Sequence, residues 1–164
     1  MKVGIYYGTT TGTTEDIAHR IADNFDDADV IEISNGIDGF PDYDLLIWGS
    51  PTWGLGDLQD EWMIYIDEIE DMDLSDKYVA LFGTGDQASF SDSFIDAIEI
   101  LYNKAKKANA KLIGFTDTDG YEFTRSAAVK NGKFIGLAID ELNQPDLSED
   151  RVNAWCEQLK EEMK

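Results

Sequence analysis

Cysteine and histidine each occur once in 164 residues, and lysine plus arginine reach only 13 against 34 aspartates and glutamates. The lone thiol, Cys156, excludes an intramolecular disulfide and any cysteine cluster for zinc or an iron–sulfur centre, so the fold has to rest on its apolar core. A formal charge of −21 argues against nucleic acid and anionic membrane surfaces as partners and favours a basic protein. No stretch approaches the roughly 18 apolar residues of a membrane span. The chain opens directly on an apolar run without a signal-peptide pattern, and a cytoplasmic location is the expectation. Pro- or Ser-rich linkers, repeats and low-complexity tracts are lacking too, so residues 1–164 are expected to form one domain.

What is present is alternation. Short apolar runs rich in β-branched and aromatic residues, Lys2–Tyr7, Asp29–Ile33, Leu45–Gly49, Tyr78–Gly83 and Lys111–Phe115, read as buried strands. Helical stripes lie between and after them: Ile17, Ile21 and Phe25; Trp62, Tyr65, Ile66 and Ile69; Phe94, Ile98, Leu101, Ala105 and Ala108; Val152, Trp155, Cys156, Leu159 and Met163. Thr14 and Ser148 stand where N-caps are expected. Strands alternating with helices predict a doubly wound α/β domain with a parallel sheet covered on both faces. One segment, Thr116–Lys133, breaks the rhythm as a turn-rich excursion before "FIGLAID", a further strand. His19 falls off its helical stripe and reads as a surface residue, whereas Cys156 falls on one and reads as core.

Ligands of such sheets bind at the carboxyl ends of the strands, which selects the loops Gly8–Thr13, Ser50–Leu58 and Thr84–Ser91. The first, "GTTTGTT", combines threonine hydroxyls with backbone N–H groups at a helix N-terminus and suits a phosphate held without any cation. It matches neither the dinucleotide fingerprint nor a Walker A loop, and a plain helix cap is the competing reading. The second, "SPTWGLGD", places Trp53 to lie against a planar ligand or to fold back on the core. The third, "TGDQASFSD", offers Phe90 as a second plate or as a hydrophobic staple, with Asp86 and Gln87 as polar edge readers. Together they describe a seat for a flat ring with a phosphorylated tail.

Through Thr9-Thr10-Thr11-Gly12-Thr13-Thr14, "PTWGLGDLQ", "FGTGDQ", "TDGYEF", "NGKFIGLAID" and "EDRVNAW", the chain resembles a flavodoxin of the long-chain type over essentially its whole length. The resemblance implies a five-stranded parallel sheet of order 2-1-3-4-5 whose last strand is interrupted by an insertion. It implies non-covalent FMN and an electron-transfer protein rather than an enzyme, cycling between semiquinone and hydroquinone in place of ferredoxin. Carried over by position, Thr9, Thr11 and Thr14 with the amides of Thr10 to Thr14, Gly12 and Thr13 included, would hold the phosphate. Pro51 would belong to the FMN site, Thr52 would sit beside the ribityl–phosphate region, and Trp53 would stack on the inner ring face. Thr84, Gly85, Asp86 and Gln87 would meet the pyrimidine edge, and Asn143 the ribityl chain. Phe90 stands where the family usually has a tyrosine, and Leu142 where it often has an acid.

The resemblance further implies that the peptide after Trp53 flips on reduction and that Gly56 belongs to the FMN site; Gly54, tolerant of positive φ, is expected to ease the flip. An uncompensated phosphate, aromatic walls and the −21 charge all predict a low second potential. Asp57, Asp60, Glu61, Asp67, Glu68, Glu70, Asp71 and Asp73 are expected to ring the flavin entrance and steer a basic redox partner such as a ferredoxin- or flavodoxin-NADP reductase. A monomer is the family expectation. Two competitors share the architecture. A receiver domain needs clustered acids after the first strand, a phosphorylatable aspartate after the third and a lysine near the fifth, whereas here the first strand ends Tyr7-Gly8-Thr9 and the third Gly49-Ser50, which sets that reading aside. An FMN-dependent NAD(P)H or quinone reductase would use a similar flavin seat and add a second pocket.

Overall fold

The computed structural model of the chain describes residues 1–53 and 55–164. Val3–Tyr7 (β1), Ala28–Glu32 (β2), Leu45–Trp53 (β3) and Tyr78–Thr84 (β5) lie parallel in the order β2-β1-β3-β5. Lys111–Ile113 (β6) and Leu137–Ile139 (β10) share the far edge of β5. β6 pairs with Tyr78–Ala80 and β10 with Phe82–Thr84. The fifth strand is thus one strand in two pieces, as expected. Gly114, at φ +86°, ends its first piece two residues earlier than the apolar run suggests.

The excursion folds into its own antiparallel sheet of Thr116–Asp117 (β7), Val129–Lys130 (β8) and Lys133–Phe134 (β9). Asn131 and Gly132, both at positive φ, make the hairpin turn between β8 and β9. "FIGLAID" is therefore not one strand, since Phe134 belongs to β9 and Leu137–Ile139 to the main sheet.

Both faces of the sheet are buried, which is why the strands read as unbroken apolar runs. Val3, Ile5, Tyr7, Leu45, Ile47, Ala80 and Phe82 face the helices Thr13–Ala22 (α1) and Pro145–Glu162 (α4). Tyr6, Leu46, Trp48, Val79 and Leu81 face Asp60–Glu70 (α2) and Ala97–Lys107 (α3). Ile17, Ala18 and Ile21 of α1 and Val152, Trp155, Cys156 and Leu159 of α4 are the buried stripes. Burial pushes the Cys156 thiol up to about 12, which leaves it an inert core group. His19 is exposed.

Neither expected N-cap is one. α1 is entered through Gly12 and α4 through Gln144, with Pro145 in the first turn. Thr14 and Ser148 sit inside their helices and are buried, Thr14 with its hydroxyl on Thr84 of the sheet and Ser148 with its hydroxyl unpartnered among the described residues. Among the described residues no helix is long and apolar enough to cross a membrane.

Candidate functional site

The turn from β1 into α1 is built on two glycines. A Cβ at Gly8 would lie 2.2 Å from Gln59 Oε1, so only glycine lets the start of α2 come this close. Gly12, at φ +91°, turns the chain into the helix, and nothing lies within 4 Å of where its Cβ would be. That side of the loop is open. Thr9 Oγ1 accepts from Gly12 N–H at 3.0 Å and sets the curvature, while Thr11 and Thr13 carry their hydroxyls 3.5 Å apart at the surface. The first helical bond is Asp16 N–H to Gly12 O. The amides of Thr13, Thr14 and Glu15 precede it and have no intrahelical acceptor, so they aim outward with the positive end of the helix dipole. Thr14 Oγ1 instead points inward, 2.9 Å from Thr84 Oγ1 at the end of β5. The donor set is neutral and open, which fits a phosphate.

Trp53 does not ride on a free loop. β3 runs on to it and pairs antiparallel with Asp57–Leu58 (β4), with Gly56 N–H donating to Trp53 O. Gly56, at φ +109°, packs beside Asp96. Trp53 is 41% exposed at this ribbon's tip, and Leu55 is more so. Pro51 is level with Thr84 in the sheet. Thr52 Oγ1 accepts from Ala97 N–H at 3.1 Å, so this hydroxyl holds the start of α3. Gly54, expected to form the flipping peptide, lies outside the described residues.

In the third loop Gly85 N–H donates to Ile139 O, which ties the loop to β10. Asp86 Oδ1 accepts from the amides of Ala88 and Ser89 and from Asn143 Nδ2. These bonds, the Ser89 amide foremost, hold its carboxyl below the usual range. Phe90, whose N–H closes the turn on Asp86 O, is 53% exposed. The two aromatics of the site thus stand in solvent and are not consumed by the core. Gln87 departs from its expected role as an edge reader. It is buried, and its amide group binds Asp140 Oδ2, Gln144 Oε1 and Glu122 N–H.

Asp140 was missed by sequence reasoning. It is fully buried at the end of β10 and accepts from Gln87 N–H and Nε2, from Leu142 and Asn143 N–H, and from Asn143 Nδ2. Its signal is an acid closing the apolar run "FIGLAI". Leu142 is exposed.

The acids after Trp53 do not all ring this edge. α2 starts at the strand ends that carry the site and runs about 16 Å toward the opposite end of the sheet. Asp57 and Asp60 are therefore near the loops, and Glu70, Asp71 and Asp73 are far from them. Glu70 is paired with Lys104 at 2.7 Å and Lys107 at 3.2 Å, which pull its carboxyl below the usual range. Glu61 turns inward. Its Oε2 is shut off from water without a partner, and burial, then the neighbouring Glu32, push its carboxyl up. Beside them Tyr7 donates to Glu15, and burial first and that contact second push the phenol up. A separate cavity of about 200 Å³, lined by Tyr121, Arg151 and Trp155 among others, lies under the insertion and includes none of the three loops.

A doubly wound sheet with an open threonine turn at a helix N-terminus, two exposed aromatics and a polar loop at its carboxyl end has the form of a mononucleotide-type binding domain. Comparison with known proteins narrows the class. The flavodoxin family profile matches residues 5–155. The chain is 46% identical to a flavodoxin of a Nostoc species, with 98% of this chain and 96% of that one covered. It is 40% identical to flavodoxin 2 of Escherichia coli, with 99% and 97% covered. A crystal structure of Fusobacterium nucleatum flavodoxin bound to flavin mononucleotide superposes with a TM-score of 0.94 at 37% identity, covering 98% of each chain. The chain belongs to the flavodoxin family.

Proposed function

We propose that this chain binds FMN non-covalently and works as a low-potential one-electron carrier that takes the place of ferredoxin between a basic reductase and a low-potential acceptor. The observation that carries the reading is the open Gly12 turn, with its unengaged first-turn amides, on the same sheet edge as the exposed Trp53 and Phe90. FMN, when bound, supplies two successive one-electron steps.

The amides of Thr10, Thr11, Thr13 and Thr14, with the hydroxyls of Thr9, Thr11 and Thr13, would take the phosphate by dipoles alone, while Gly12 N–H, bonded to Thr9 Oγ1, shapes the turn. Thr14, bonded to Thr84, would hold that loop against the sheet. Trp53 and Phe90 would exclude water from the two ring faces, a role that apolar area performs at about 25 cal/mol per Å². Gly85 and Asp86 would meet the pyrimidine edge, and Asn143 would adjoin the ribityl chain while holding Asp86 in place. Phe90 offers a plate without the hydroxyl of a tyrosine. Asp57 and Asp60 keep the entrance negative, which favours a basic partner and a fast, short-lived encounter. Cytoplasmic residence and a monomeric state complete the reading.

Anaerobic spectroelectrochemical reduction of the purified protein tests it. Two separated one-electron waves, the second at much lower potential, are expected. A single two-electron wave, together with turnover of NADPH and a quinone, would replace the carrier by a flavin-dependent reductase. Absence of flavin binding would reduce the threonine loop to a helix cap.

A further inference from the structure

The insertion and the ring-edge loop are distant in sequence yet share one buried cluster. Gln87 Oε1 accepts from Glu122 N–H, and Gln87 Nε2 donates to Asp140 Oδ2 at 2.8 Å and to Gln144 Oε1 at 3.0 Å. Gln144 Nε2 donates to Gly120 O, and Arg151 donates to Gln144 Oε1 while its guanidinium lies 3.9 Å from the centre of the Tyr121 ring. Tyr121 Oη donates to Ala138 O, which closes the circuit on β10.

Asp140 is the hub. Its Oδ2 takes three donors and its Oδ1 two, all from the loops on either side of the site. A buried carboxylate is stable only while its donors stay in place, so each of those groups is fixed by the others. Asn143 Nδ2 is shared between Asp140 Oδ2 at 2.8 Å and Asp86 Oδ1 at 2.7 Å, so the position of the buried acid sets that of the exposed one. Asp86 in turn holds the amides of Ala88 and Ser89 in the turn that presents Phe90. None of the bonds of this cluster reaches the Thr9–Thr14 loop.

We propose that Asp140, acting through Gln87 and Asn143, is the positioning residue of the Asp86–Phe90 loop for the flavin ring, and that the insertion locks it from outside through Glu122 and Gly120. This rests on the FMN reading above. It separates two functions within one site: the ring seat depends on Asp140, and the phosphate seat does not.

The test is Asp140→Asn in the full chain without flavin. The amide keeps the volume but turns one acceptor into a donor facing the donors of Gln87 and Asn143. Riboflavin, which has the ring without the phosphate, FMN and inorganic phosphate are titrated separately, and amide hydrogen exchange is followed. Riboflavin and FMN are expected to weaken by about tenfold, phosphate to bind unchanged, and Ala88 and Ser89 to exchange faster than in the parent. Gln87→Leu, which leaves Asp140 its remaining donors, is expected to show the same pattern at smaller size, and decides the matter if Asp140→Asn does not fold. Unchanged riboflavin affinity, or riboflavin and phosphate lost together, overturns the proposal. If the parent binds neither riboflavin nor FMN, the FMN reading fails by itself. Exchange at Ala88 and Ser89 then decides: faster in the variant upholds the positioning role, unchanged rejects it.

Discussion

Thr14 and Thr84 meet hydroxyl to hydroxyl, 2.9 Å apart and shut off from solvent, and this contact joins the first turn of α1 to the end of β5. Seventy residues apart in sequence, they bind the phosphate-type loop to the strand that feeds the ring-edge loop. Thr14→Val keeps the shape and leaves the Thr84 hydroxyl buried without a partner. That is expected to cost ~1–3 kcal/mol of stability. Thr14→Val with Thr84→Val removes both polar groups and should cost less than the two single changes added together. Denaturant unfolding of the four chains measures the coupling, and simple additivity would mean that the contact contributes nothing.

Gly12 offers a case in which space and backbone can be told apart. Its φ of +91° disfavours any Cβ, yet no atom lies within 4 Å of the Cβ position. Gly12→Ala should therefore destabilise by about 1–2 kcal/mol through the backbone alone. Asparagine, which tolerates the left-handed region better, should cost less, and valine more. The expected stability order is glycine, asparagine, alanine, valine, read from denaturant midpoints. An order set by side-chain size alone, with asparagine below alanine, would contradict the backbone explanation.

The fold was legible where local pattern and final burial coincide. β1 and β5 are short apolar runs whose alternate residues go to two different helix layers, so their period-free hydrophobicity says parallel and buried. The candidate loops were chosen because strand-end loops collect ligands in this architecture, and the structure leaves Trp53 and Phe90 exposed there. What was misread depended on distant partners. Trp53 belongs to an extended β3 because β4 returns to pair with it, a pairing that two residues do not announce. Thr14 has the side chain of an N-cap, but Thr84 claims its hydroxyl. Gln87 and Asp140 look like surface polar residues because their partners come from the insertion and from β10. Acids on α2 were read as one patch, although a helix of this length carries its two ends to opposite edges of the sheet.

Glu61 makes a pH prediction with a definite sign. From its own helix it presents a buried Oε2 without a partner. Glu32 faces it from β2, Tyr7 from β1, and Glu15 from α1 through the Tyr7 hydroxyl. Its carboxyl is raised above the ordinary 4.5, so the folded chain holds this proton more tightly than the unfolded one. Its contribution is most favourable below 4.5 and is lost as pH rises through the raised folded value. Glu61→Gln supplies an uncharged donor toward Glu32. One new hydrogen bond of about 1 kcal/mol corresponds to a Tm rise of about 2–4 °C in a domain of this size at pH 7. At pH 4 the difference should vanish. Thermal unfolding across that range checks it, and a variant equally stabilised at both pH values would show that Glu61 is not a source of charge strain.

The reduction potential should depend on where the acids lie, not only on their number. In the proposed carrier cycle the second one-electron step would add negative charge to a site on a protein of −21, and every nearby carboxylate would oppose it. Asp60 starts α2 beside the loops, whereas Asp71 follows its far end, about 16 Å down the helix axis. At 0.1 M ionic strength the screening length is about 10 Å, so the near acid acts on the site and the far one is largely screened. Asp60→Asn should raise the second potential measurably, with about 59 mV for each ~1.4 kcal/mol of repulsion removed, and Asp71→Asn much less. At 1 M salt, where screening acts within about 3 Å, the parent potential should itself rise and the two variants should converge on it. Spectroelectrochemical titration of the three proteins at both salt concentrations gives the comparison. Equal shifts from Asp60 and Asp71 would mean that net charge alone sets the potential, and a parent value indifferent to salt would remove surface charge from the account altogether.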